Sequence, residues 1–319
     1  MKKFLISIDT EGDNLWIWKH GNVINTKNVD YLPRFQNLCE EFGYKPTYLT
    51  NYEIANSKDY QKFAKNVIKK KTGEVGMHLH AWNTPPEDRL ENQKDNPGAA
   101  YLIEYNPDIM EEKISFMTEK LRSVFETDII THRAGRWTMN ETYFNLLANY
   151  NYKIDCSVTP HIDWKKCTGE TTGSGGSNYK HSPENPYFLK VDGKSLLEVP
   201  LTVRRTQKTF KSSSAHPYLS ILYRKIAGNV IWLRPNGNNT NKMLWLIDKI
   251  ANEDNTDYIM FMLHSSELMP GGSPTFKTEE SIEVLYGQLK TIFEYASDRF
   301  EGMTIGEYGT KKILSEECK

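Results

Sequence analysis

Four short stretches hold side chains whose types and spacing could do chemistry. The first, Asp9-Thr10-Glu11-Gly12-Asp13, sets three acids at alternate positions straight after the apolar run Phe4-Leu5-Ile6-Ser7-Ile8. Carboxylates gathered away from water repel one another, and a metal ion or an arginine would relieve the repulsion. A solvated acidic turn is the plain alternative. The second, Gly76-Met77-His78-Leu79-His80-Ala81-Trp82, carries a His-x-His pair. Residues two apart in an extended chain point to one side, so His78 and His80 can aim both imidazoles at one point, as a divalent metal requires. Two histidines with a carboxylate form a recurrent ligand set for hydrolytic zinc, one position staying open for water.

The third stretch, Thr131-His132-Arg133-Ala134-Gly135-Arg136-Trp137, places two arginines around a glycine. Such a pair can orient a carboxylate or an oxyanion, or can be an ordinary surface pair. In the fourth, Leu263-His264-Ser265-Ser266-Glu267, a histidine follows a six-residue apolar run. A lone histidine there is commonly structural; opposite a metal site it would be a natural general acid.

These residues need elements to position them, and the hydrophobic periodicity supplies β-then-α units. Strands are expected at residues 4–8, 46–50, 74–78, 129–132, 153–157, 196–201 and 258–263. Helices are expected at about 29–42, 59–71, 108–125, 140–150, 242–252 and 281–300. Short apolar strands alternating with helices predict a parallel sheet covered on both faces. About seven strands point to an α/β fold, a distorted or incomplete (β/α)7 barrel, with an open doubly wound sheet as the alternative. Each chemical stretch would then lie at the C-terminal end of a strand. Residues 83–108 read as a long surface loop. Residues 168–185, with Gly-Ser-Gly-Gly-Ser and almost no aliphatic residue, read as a mobile loop and a lid. No linker or internal repeat divides the chain, so residues 1–319 are expected to form a single domain with long inserted loops.

Composition excludes several function classes. A net charge of −1 offers no basic field for a phosphate backbone, so no nucleic-acid partner is expected. No apolar run approaches the ~18 residues of a membrane span. Lys2 and Lys3 precede an apolar run too short for a signal peptide and followed at once by acids, so it reads as a first strand. Cys39, Cys156, Cys167 and Cys318 are scattered without a Cys-x-x-Cys pair, and unpaired thiols in the cytoplasm are expected.

Together the four stretches resemble the motifs of the polysaccharide deacetylases, the NodB-homology or carbohydrate esterase 4 family, in a divergent branch linked to surface-polysaccharide biosynthesis. Ile8-Asp9-Thr10-Glu11-Gly12 is similar to its Asp-Asp-Gly motif with one residue inserted, and Glu74-Val75-Gly76-Met77-His78 matches its Glu-Ile-Gly-x-His opening. Arg133 stands where the third motif begins, and Leu263-His264 resembles the last. The second metal histidine, which the family places four residues after the first, is here at His80, with Trp82 at the family position. Gly135-Arg136 replaces the usual Pro-Tyr.

The resemblance implies a metal-dependent hydrolase that removes an N-acyl group from an aminosugar of a surface polysaccharide or its precursor. The ligands of a divalent metal, zinc above all, would be Glu11, His78 and His80, with Asp13 a rival carboxylate. Asp9 would be the general base, Arg133 would keep it ionised, and His264 would protonate the departing amine. Asp13, Trp82, Arg136, Trp137 and Glu267 are expected to meet the carbohydrate, and Trp164 offers a further aromatic face; core packing is the alternative for each tryptophan. Rival readings are a catalytically silent sugar-binding homologue and a hydrolase of another non-peptide C–N bond. A phosphoryl hydrolase lacks the support of a glycine-rich phosphate loop.

Overall fold

The first strand, β1 (Lys2–Thr10), already divides the molecule into two environments. Phe4, Ile6 and Ile8 pack outward into the larger apolar cluster, while Leu5 joins a smaller inner one, so Ser7 and Asp9 share the inner face by alternation. The computed structural model describes all residues except 20, 88–89, 91–99, 192, 208–228, 254 and 319. Ten more strands follow: β2 (Pro46–Thr50), β3 (Glu74–Leu79), β4 (Thr131–Ala134), β5 (Ile154–Asp155), β6 (Tyr187–Val191), β7 (Lys194–Glu198), β8 (Val203–Thr206), β9 (Asn229–Trp232), β10 (Tyr258–His264) and β11 (Phe300–Gly302).

The main sheet runs β10-β1-β2-β3-β4-β5-β7-β6, with β11 beside the start of β1. The path is parallel from β10 to β7, and β6 ends it as the antiparallel arm of a hairpin. Among the described residues no ladder joins β7 to β10. Irregular backbone bridges the gap instead, through Leu201 N to Val158 O (3.0 Å), Leu233 N to Thr202 O (3.2 Å) and Met262 N to Leu233 O (3.1 Å). The fold is therefore α/β with a curled, incomplete sheet, a half-barrel carrying long loops.

Helices α1 (Leu32–Glu41), α2 (Tyr52–Asn56), α3 (Lys58–Lys70), α4 (Pro107–Phe125), α5 (Glu141–Asn149), α6 (Thr240–Ala251), α7 (Glu279–Ser297) and α8 (Ile305–Glu317) complete the described elements. Asn106 and Ser57 cap α4 and α3 by accepting from Ile109 N and Tyr60 N. Among the described residues no helix is long and apolar enough to cross a membrane. The four cysteines are unpaired thiols.

The sequence pattern missed α2, α8, β6, β8, β9 and β11. Helix α8 presents few apolar positions, yet Ile305 and Tyr308 join Met303, Leu5, Leu49 and Ile154 in plugging the inner face at the N-terminal end of the strands. Ile305 N donates to Thr47 Oγ1 (3.0 Å) and Gly306 N to Glu74 Oε2 (2.8 Å), which ties that plug to the sheet. Strand β4 starts two residues later than its apolar run suggests, so Arg133 lies inside the strand rather than beyond its end.

The expected long loop at 83–108 lies partly outside the described residues; its end, Leu102–Glu104, is a 3-10 turn. The expected mobile lid at 168–185 is instead anchored. Glu104 accepts from Thr171 N (2.8 Å), Thr171 Oγ1 (2.7 Å) and Glu170 N (3.3 Å), while Tyr101 OH donates to Cys167 O (2.6 Å). A carboxylate does there what the missing aliphatic side chains cannot.

Behind the inner face, cross-strand register aligns His132 with Asp155 and Asp155 with Glu198. His132 Nδ1 lies 2.6 Å from Asp155 Oδ1, and Ser157 Oγ both donates to that oxygen (2.9 Å) and accepts from Ala134 N (2.8 Å), which steadies the end of β4. Burial, and after it the neighbouring Asp155, push the Glu198 carboxyl well above the usual glutamate range, so the fold holds it protonated. A folded-state pKa raised above the unfolded one means that folding takes up a proton, so this contribution falls as pH rises from the ordinary glutamate range to the folded value. Glu198→Gln is expected to flatten that decline, which for one group cannot exceed about 1.4 kcal/mol per pH unit. Denaturant unfolding from pH 5 to 9 checks this; an unaltered pH slope contradicts it.

Candidate active site

Strand register brings the four chemical stretches to one rim. Asp9 of β1 stands beside His264 of β10, and His78 of β3 beside Arg133 of β4. Side-chain alternation then points Asp9 and Glu11, His78 and His80, Arg133 and His264 to the inner side. Gly135 allows the strand ends to close up: a Cβ there would stand 2.5 Å from Leu79 O and 3.1 Å from His80 Nδ1.

Arg133 has no exposed surface. Its guanidinium donates to Asp9 Oδ1 (2.5 Å), Ser7 Oγ (2.9 Å) and Cys156 O (3.0 Å). Burial alone would push the Asp9 carboxyl up, but Arg133, then His78 and His264, bring it below the usual aspartate value. Asp9 is thus ionised, one oxygen held by Arg133, and the other lies 3.8 Å from His264 Nε2.

Glu11, His78 and His80 meet in a tight triangle. Glu11 Oε2 is 2.8 Å from His80 Nε2 and 3.4 Å from His78 Nε2, and the two Nε2 atoms are 2.9 Å apart. These edges approach the ~3.3 Å between donors around a four-coordinate ion with bonds of about 2.0–2.2 Å. Burial would lower the His78 ring, but Asp9 and Glu11 bring it above the usual histidine value, so a bound metal would have to displace a proton there. His78 Nδ1 lies 3.0 Å from Arg133 O, which accepts a hydrogen bond from Nδ1–H and so directs Nε2 inward. Burial, and then His78, push the His80 ring down to about 4, so it is neutral, as a ligand must be. Burial would raise Glu11, but His264 and the two histidine hydrogen bonds hold it well below the usual range. The buried carboxylates demand nearby positive charge, and the three donors could coordinate a divalent metal ion. Asn28 Nδ2 (2.7 Å) and Ser265 Oγ (3.1 Å) both donate to Glu11 O and fix the ligand's backbone.

A cavity of about 990 Å³ opens above this floor. Stacked Trp137 and Trp164, with ring centroids 5.1 Å apart, form one wall with Trp232. Trp82, 4.1 Å from the His80 ring, and Trp18 form the other, and Trp16 sits edge-on to His264 at 5.2 Å. Arg136 and Trp137 line this space with φ of +55° and +53°, a left-handed pair costing about 1–3 kcal/mol per residue. Of the other residues expected at the substrate, Trp82 also lines it, whereas Glu267 and Asp13 do not. Glu267 accepts from His264 N (2.9 Å) and from Arg234 (3.1 Å) and braces the histidine. Asp13 accepts from Lys27 N (2.8 Å) and closes the loop after β1 rather than joining the triangle. Sequence reasoning missed Trp16, Trp18, Lys19, Trp232 and Arg234. The available signals were the alternating Trp16-Ile17-Trp18 behind the acid motif and Trp232-Leu233-Arg234 at the end of β9.

No protein-family model matches the sequence, and no curated protein matches it. Solved structures do. A candidate polysaccharide deacetylase from Mycobacterium smegmatis aligns with a TM-score of 0.55 at 14% identity, over 99% of this chain and 92% of that one. A 4-alpha-glucanotransferase from Thermococcus litoralis gives 0.55 at 14% identity, over 98% of this chain and 41% of that one. The Puue allantoinase gives 0.50 at 10% identity, over 97% and 88%. At these identities the likeness establishes a shared fold.

One divalent ion per chain is expected to bind, and His80→Ala to abolish binding. Gly135→Ala should weaken it about 10- to 100-fold by displacing His80, as outer-shell changes do. Asp13→Asn should leave the stoichiometry unchanged. Competition against a chromogenic chelator checks all three; full binding in His80→Ala contradicts the assignment.

Proposed function

We propose that this protein is a zinc-dependent hydrolase that removes an N-acyl group, acetate first among them, from an aminosugar of a surface polysaccharide or its precursor. The shared fold alone does not fix the reaction, since the similar structures carry the names of three different activities. What carries the reading is the site: three metal donors beside an ionised aspartate with one oxygen left open, at the floor of a tryptophan-walled cavity.

A divalent ion at Glu11, His78 and His80 would supply Lewis-acid polarisation of the acyl oxygen and acidify water. Asp9, through its second oxygen, takes the proton as water oxygen bonds to the acyl carbon. Arg133 keeps Asp9 ionised before that step and fixes its orientation. His264 donates from Nε2 to the sugar nitrogen as the C–N bond breaks, so a carboxylic acid and an amine leave. Glu267 sets the ring of His264 from behind, its Oε2 3.2 Å from Nδ1 and accepting from Nδ1–H of the imidazolium, while Arg234 holds Glu267 at 3.1 Å. The tryptophan walls suit the apolar faces of sugar rings.

Asp9→Asn is expected to keep one divalent ion per chain while amine release from acetylated aminosugar oligomers falls ~10²–10⁴-fold. That variant leaves Arg133 without its counter-charge, a destabilisation of about 3–5 kcal/mol, so thermal melting is followed in parallel. His264→Gln, which strands no buried cation, should lose turnover to the same degree. Wild-type rates in both variants refute the mechanism. Sugar binding without any amine release from the wild type would instead support a silent binding protein.

A further inference from the structure

Of the three metal donors, His78 alone lies inside a strand, where the ladder with β4 pairs it with Arg133. Glu11 comes just after the last residue of β1, and His80 just after the last residue of β3. Strand β2 runs between β1 and β3 and supplies no donor, and its ladders with them end at Thr10 and at Met77. The sheet therefore delivers Glu11 and His80 to the rim without fixing the 2.8 Å between Oε2 and Nε2. Asn28 and Ser265 hold the Glu11 backbone from the side of β10. The link to the loop of His80 comes from elsewhere.

Glu53, the second residue of α2, makes that link. Its Oε1 accepts from Gly12 N (3.0 Å) and from Asn51 Nδ2, and its Oε2 accepts from Asn83 Nδ2. Gly12 follows Glu11 directly, and Asn83 lies three residues beyond His80. One carboxylate thus joins the chain segments that leave β1, β2 and β3. Two details show how closely it is fitted. A Cβ on Gly12 would stand 2.2 Å from Ile24 Cγ2 and 3.3 Å from Glu53 Oε1, so the backbone comes this near only as glycine. Asn83 Oδ1 is buried with no partner among the described residues, so the amide keeps its bond to Glu53 at the expense of its own acceptor. The same two loops carry Trp18 and Trp82, stacked at 6.0 Å in the cavity wall.

We infer that Glu53 is a positioning residue of the metal centre: by bridging Gly12 and Asn83 it sets the distance between Glu11 and His80. This rests on the metal-site reading above. The bridge is one of geometry rather than charge. A glutamine there can accept from Gly12 N through Oε1 and donate through Nε2 to Asn83 Oδ1 once that amide turns over.

Competition against a chromogenic chelator measures zinc affinity, and the visible spectrum of cobalt(II) in the same site reports its coordination. Glu53→Ala is expected to lower zinc affinity about 10- to 100-fold, as outer-shell changes do, and to alter the cobalt spectrum. Glu53→Gln should keep both near the wild type. Asn83→Ala, which spares the bond to Gly12, should fall between the wild type and Glu53→Ala, and adding it to Glu53→Ala should cost little more. Melting of the metal-free proteins is followed in parallel. A lower melting temperature in Glu53→Ala with wild-type zinc affinity marks a merely structural residue and overturns the inference. A loss in Glu53→Gln as large as in Glu53→Ala also overturns it, since charge rather than position would then be at work. Should Glu53→Ala fail to fold, wild-type affinity in Asn83→Ala overturns it. A wild type that binds no zinc overturns the metal-site reading as well.

Discussion

The site depends on a charge that water cannot reach. Arg133 is enclosed by the inner face of the sheet, where an unpaired guanidinium would cost several kcal/mol. Asp9 balances it, and Ser7 and Cys156 O satisfy further donors. The same residue's carbonyl faces His78 Nδ1 and selects the tautomer that turns the other nitrogen inward. One buried arginine therefore sets the charge of the aspartate through its side chain and the direction of a ligand through its backbone. The two roles cannot drift apart, because residue and carbonyl lie on the same strand, β4.

Alternation along parallel strands makes that economy possible. On β1 the inner face runs Leu5, Ser7, Asp9, from apolar to polar toward the rim; on β10 it runs Tyr258, Met260, Met262, His264. The lower layer meets Met303 and Ile305 and stays dry, while the upper layer meets the cavity. A slip of one residue in either strand would turn Asp9 or His264 into the helix layer. The apolar outer positions of the same strands resist such a slip, because Ile8, Phe261 and Leu263 would then have to leave the core.

The strands with continuous apolar runs, β1, β2, β3 and β10, were legible in the sequence, as were the residues that follow them. So were the main helices, whose apolar stripes are regular. The His-x-His spacing pointed to converging imidazoles because period two holds in any extended segment. What escaped was structure held by polar groups or by distant partners. The segment at 168–185 looks structureless by hydropathy because its anchor, Glu104, lies more than sixty positions away. Helix α8 has too sparse a stripe to announce itself, since it packs end-on against the sheet floor. The burial of Arg133 was hidden for a related reason: charge suggests a strand end, and only the pairing with Asp9, 124 positions away, makes an interior place tolerable. Trp232 ends β9 and Arg234 follows it, and a four-residue strand has an alternation too short to stand out.

The account stands or falls on where a metal sits relative to Asp9. Crystals grown with zinc and measured at its absorption edge locate the ion directly by anomalous scattering. The account predicts a single peak bounded by Glu11 Oε2, His78 Nε2 and His80 Nε2, with Asp9 still paired to Arg133 and outside bonding distance. A peak that takes Asp9 as a ligand, or no peak between the two imidazoles, would contradict it.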